Sequence, residues 1–204
     1  MRPQETYIAV SLGDDLGYYP QEVWSLNLTH LDMYTEDVLD ELAGITWAEG
    51  NDYPNYSAVS ATTGERNWGA SGSYSEILMQ VSTGAAGGVG TLAITAAIKV
   101  VYEKLRAHSQ SEGWRDLPTA ERAAEIARSR LHQHYEVASE KLTVVRSDVD
   151  LETQRYDLEF VHEDGRRFGA TIGALTGLPW CTRVWVEGAD PGLRPLPPVP
   201  DPGN

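Results

Sequence analysis

Side chains able to do chemistry are few in this chain, and their spacing keeps them apart. The single cysteine, Cys181, follows Trp180 and would need a histidine such as His30 or His162 as base before its thiolate could attack anything. His132 and His134 are two residues apart, which on a helix turns their rings about 200° away from each other, unlike the one-turn spacing that lets two histidines hold one metal. Asp14 with Asp15, and Asp148 with Asp150, are acid pairs of the kind that can attract a divalent cation. Neither sits in the spaced acidic pattern of a calcium loop. Of the glycines Gly84, Gly87, Gly88 and Gly90, none precedes a lysine, as a phosphate loop requires, and they never fall at relative positions 1, 3 and 6 of a dinucleotide fingerprint. The sequence therefore predicts no catalytic residue, no cofactor and no metal site.

The charge narrows the class of partner. The 204 residues carry a formal charge of -14, which excludes a protein whose main task is to grip nucleic acid. Residues 1–70 hold twelve Asp or Glu against Arg2 and Arg66 alone, so the negative field is concentrated in the first third. A cationic protein is the partner such a surface would attract. Asp14 and Asp15, with the loop aromatics Tyr53, Tyr56 and Trp68, are the residues expected to meet it, because Tyr and Trp give much contact area for little lost entropy. With one cysteine and an N-terminus lacking a basic region followed by an apolar run, the chain is expected in the cytoplasm.

The elements that must position these residues are read as an α+β fold. Its N-terminal part has short strands and helices. Residues 5–12 alternate Tyr7, Ala9 and Ser11 with Ile8, Val10 and Leu12, the period of a strand, and Trp24, Leu26 and Leu28 mark a second. Thr35 caps a helix ending at Gly44, ITWAE is a short strand, and residues 56–62 form another. Ser73 and Glu76 have the spacing of a capping box before the uncharged run Ile77–Ile98, which predicts a glycine-rich central helix, broken or closely crossed near residues 84–90. On that reading Gly84, Gly87, Gly88 and Gly90 form a packing surface, within the chain or in a homodimer. The run has the length to span a bilayer, but four glycines and few large aliphatics leave it a poor membrane segment.

After a polar connector, residues 120–140 read as a surface helix, followed by an antiparallel meander of about four strands with a hairpin turn at Asp164-Gly165. Three stretches result: an acidic unit over 1–112, a helix-plus-sheet unit over 113–188, and an extended tail over 189–204 rich in proline. The function expected is noncatalytic protein binding or assembly, with an inhibitor or immunity protein for a basic partner as its concrete form. The alternatives are a small hydrolase or transferase without a recognisable motif, and a membrane-associated protein using residues 77–98.

Overall fold

The computed structural model describes residues 4–14, 16, 20–47, 53–68, 70–83, 89–111, 117–176, 178 and 180–187. Eight strands form one mixed sheet. In chain order they are β1 (Glu5–Gly13), β2 (Glu22–Thr29), β3 (Ser57–Trp68), β4 (Ala70–Ser82), β5 (Leu142–Asp150), β6 (Arg155–His162), β7 (Arg167–Ile172) and β8 (Cys181–Val186). Across the sheet the order is β3-β4-β1-β2-β8-β7-β6-β5. Only β1 and β4 run parallel; every other neighbouring pair is antiparallel. The helices are α1 (Thr35–Ala43), α2 (Val89–Ala107) and α3 (Ala120–Tyr135).

The helices cover the sheet diagonally. On one face α1 and α2 pack Val38, Leu42, Ile94, Ile98 and Leu105 onto Ile8, Val10, Trp24, Leu26, Ile77 and Met79. Tyr102 of α2 fixes the crossing by donating its buried hydroxyl to the carbonyl of Trp24 at 2.9 Å. On the opposite face α3 lays Ala123, Ala127 and Leu131 against Leu158, Phe160, Phe168, Ala170 and Val184. Alanines on the inner stripe let this helix lie close to the strands. Thr119 caps it by accepting from the Arg122 amide, and Glu136 ends it in the left-handed conformation.

The α+β architecture expected from the sequence is therefore overturned in two respects. The C-terminal strands do not close into a sheet of their own about four strands wide: β8 pairs with β2 from Glu22–Trp185 to Leu26–Cys181, and all eight strands share one sheet. Nor is there a central glycine-rich helix. Residues 70–82 are β4, in which Ile77, Met79 and Val81 are buried and alternate with Glu76, Leu78 and Gln80. That alternation, with hydrogen-bonding neighbours on both sides, outweighs the capping-box spacing of Ser73 and Glu76. Helix α2 begins only at Val89. Gly84, Gly87 and Gly88 lie outside the described residues, and Gly90 is in the first turn of α2. The uncharged run is thus a strand, an undescribed segment and a helix. Among the described residues no helix is long and apolar enough to cross a membrane. Smaller differences follow the same lines: Tyr34, not Thr35, is the N-cap of α1, and Ile45 and Thr46, read as the start of a short strand, belong to a 3-10 turn over Gly44–Thr46 that buries Ile45.

Candidate binding groove

Because α3 lies over β6, β7 and β8 and reaches β1 at Tyr7 and Ala9, it leaves the same face of β4 and β3 without a helix among the described residues. Where β1 begins, this open face and the side of α3 enclose a groove of about 880 Å³. Residues two apart on a strand share a face. In this way β1 presents Glu5 and Tyr7, and β4 presents Tyr74 and Glu76. The parallel register sets Glu5 beside Tyr74 and Tyr7 beside Glu76, so carboxylates and rings alternate like the squares of a checkerboard. Gly64 on β3 admits the Tyr74 ring: a Cβ there would lie 2.7 Å from Tyr74 Cε1. Arg130 and Gln133 of α3 form one wall, and Trp180 and Asn27 border the other side.

A buried polar network holds Tyr7 in place. Its hydroxyl lies 3.1 Å from Ser25 Oγ and 3.2 Å from His134 Nε2, and accepts from Gln133 Nε2 at 3.3 Å. The Arg130 guanidinium stands 5.2 Å from the centre of the Tyr7 ring, a cation–π distance. Burial, with Arg130 nearby, depresses the His134 pKa to about 4, so its ring is neutral at neutral pH and Nε2 can accept a hydrogen bond from Tyr7 or Ser25. Burial also raises the Tyr7 phenol above its ordinary value, keeping it protonated.

That network carries a pH prediction. A histidine whose folded pKa lies below its unfolded value of about 6.5 contributes stability that is complete above that value and is lost as pH falls toward the folded pKa. His134 should accordingly remove about 2–3 kcal/mol between roughly pH 6.5 and pH 4, allowing for its residual solvent contact. Urea unfolding across this window, compared between the parent and His134→Gln, measures it. The variant should show the shallower pH slope, and equal slopes would count against the buried neutral ring.

Ser25 and His134 are set back from the groove. Ser25 Oγ lies 3.2 Å from His134 Nε2, a distance suited to nucleophile and base, but Ser25 is only 1% exposed and neither residue lines the groove. Cys181 is fully buried, and its thiol is pushed far up by burial and by Glu103. His162 is held by Asp164, with Nδ1 2.8 Å from Oδ1, and His132 Nδ1 lies 2.9 Å from the Val137 carbonyl. Among the described residues no three His, Cys, Asp or Glu side chains gather as a metal site would need.

Of the residues expected to meet a partner, Asp14 and Tyr56 share one end of the sheet. Asp14 is tied to Gln21 Nε2 at 2.9 Å, and its carbonyl accepts from Ser82 Oγ at 2.8 Å. Tyr56 accepts from the Ser82 amide, so it lies at the same end of the sheet as Asp14, and it is 83% exposed. The groove is at the other end of β1 and β4, about 26 Å away at roughly 3.3 Å per strand residue. Tyr53 is exposed before β3, the Trp68 backbone ends β3, and the Trp68 side chain and Asp15 lie outside the described residues. Sequence reasoning passed over Glu5, Tyr7, Tyr74, Glu76 and Arg130. Their signal was the paired spacing of Glu5-Thr6-Tyr7 and Tyr74-Ser75-Glu76, legible once both segments are strands.

Comparison with protein-family models, curated proteins and solved structures gave no match.

Proposed function

We propose that this is a noncatalytic binding protein that takes a basic protein partner into the groove beside α3, as an inhibitor or immunity protein would. The observation that carries the reading is the alternation of Glu5, Tyr74, Tyr7 and Glu76 on one open sheet face, with Trp180 at the border. Lysine and arginine side chains suit such a floor, because aromatic faces attract a cation and carboxylates accept its hydrogen bonds. Groove carboxylates outnumber the Arg130 guanidinium, and the acidic N-terminal third adds a steering field.

The test separates the groove from net charge. An oligo-arginine peptide is titrated calorimetrically into the parent, into Glu5→Gln/Glu76→Gln, and into Glu140→Gln/Glu152→Gln. Both variants lose two negative charges, but Glu140 precedes β5 and Glu152 follows it, at the far edge of the sheet. The groove variant should bind roughly tenfold more weakly, two charge-assisted hydrogen bonds being worth at least about 1.4 kcal/mol together. The edge variant should bind as the parent does. Equal weakening in both would reduce the attraction to bulk charge and defeat the proposal.

A further inference from the structure

The two edges of the sheet are built differently. At the β5 edge the chain carries Arg146, Asp148 and Asp150, and the register shifts between Val144 and Arg146 as a bulge does. Charges and bulges of this kind keep another strand from adding to an edge. At the β3 edge the charges, Glu65 and Arg66, fall only in the last four residues, and no bulge interrupts the pairing. Ser57–Gly64 has no charge and no proline, pairs with β4 without a register shift, and is exposed from Ser57 through Thr63. Thr6–Gly13 is equally uncharged but lies mostly buried inside the sheet, whereas this segment is exposed at its edge.

The direction of the free hydrogen-bonding groups follows from the register. The Ser82 amide donates to the Tyr56 carbonyl at 2.8 Å, and Ser57 stands opposite Val81, so the even-numbered residues of β3 bond to β4. Ser57, Val59, Ala61 and Thr63 therefore turn their amides and carbonyls outward, where no strand of the described residues pairs with them.

We propose that β3 pairs antiparallel with β3 of a second copy of this chain, joining the two sheets into one. With the twofold axis at Ala61, Ala61 meets Ala61, Val59 meets Thr63, and Glu65 faces Ser57, so no carboxylate stands opposite another. Like charges directly opposite destabilise a strand pair, and this register avoids them. A second copy is the occupant that the charge favours: a cationic partner gains nothing from a neutral edge, whereas two copies of an acidic protein can approach only where charge is missing.

Sedimentation velocity of the full chain over a dilution series tests the pairing. The parent should sediment with twice the mass of one chain. Ala61→Pro removes an outward amide without touching a bond to β4, and it deletes two bonds across the axis, so dissociation should rise roughly tenfold. Ala61→Lys and Ala61→Glu place like charges face to face on the axis, so each alone should dissociate more readily, and mixing the two should restore the paired species. That restoration also guards against misfolding in any single variant. A parent that stays at the mass of one chain throughout, or dimers indifferent to all three substitutions, would overturn the proposal.

Discussion

Glu22→Ala is expected to cost about 3–5 kcal/mol of stability, the range for breaking a buried ion pair from one side. Glu22 is 1% exposed, on the face of β2 turned toward α2. Its Oε1 accepts from Arg183 Nε at 2.8 Å and from the Trp24 indole, and its Oε2 accepts from Arg183 Nη2 at 2.9 Å. The guanidinium also lies 4.7 Å from the Trp185 ring centre and 5.6 Å from that of Trp24. Removing the carboxylate deprives a largely buried cation of its bidentate acceptor and the Trp24 indole of its hydrogen bond. Arg183→Met in the Glu22→Ala background should recover much of the loss, because the desolvated charge is then absent as well. Urea unfolding of the two single variants and the double variant measures this. A Glu22→Ala loss below about 1 kcal/mol would show that the pair contributes no more than a surface bridge.

Gly169→Val should destabilise by about 3 kcal/mol, the upper part of the range for overpacking. Gly169 on β7 stands opposite Trp185 on β8, and a Cβ there would lie 2.1 Å from Trp185 Cε2 and Cζ2. Those atoms belong to the body of the ring, which Arg183 stacks upon, so the ring cannot yield without disturbing the ion pair beneath the first prediction. In a strand without such a contact valine would be favoured over glycine by up to about 1 kcal/mol. The sign is therefore diagnostic. A higher unfolding midpoint in Gly169→Val would mean that Trp185 does not lie on Gly169.

What the sequence disclosed follows from how local each signal was. β1, β2 and α3 were legible because their periodicity is strong and their burial one-sided: Ile8, Val10 and Leu12 on β1, and Ala123, Ala127 and Leu131 on α3. β4 was misread because Ser73 and Glu76 satisfy a helix-start rule, while the competing signal, Ile77, Met79 and Val81 two apart, has weight only if strands flank it. The single sheet was not legible at all. It depends on β8 pairing with β2 across more than 150 residues of sequence, and nothing in the composition of Cys181–Val186 names Glu22–Thr29 as its neighbour.

The groove was hidden for a related reason. Its floor is assembled from β1 and β4, which are parallel neighbours despite the long stretch of chain between them, and its wall from Arg130 on a helix that the sequence presents as a solvent face. The acidic bias of the first third was plain from composition. Where that bias meets aromatic rings was decided by register alone.

Chemical-shift mapping of the isotope-labelled full chain with the oligo-arginine peptide tests the binding account most directly. Saturating shifts are predicted at Glu5, Tyr7, Tyr74, Glu76, Arg130 and the Trp180 indole, with the Asp14 and Tyr56 end of the sheet unchanged. Shifts gathered around Asp14 and Tyr56, or spread evenly over the exposed acids, would contradict it.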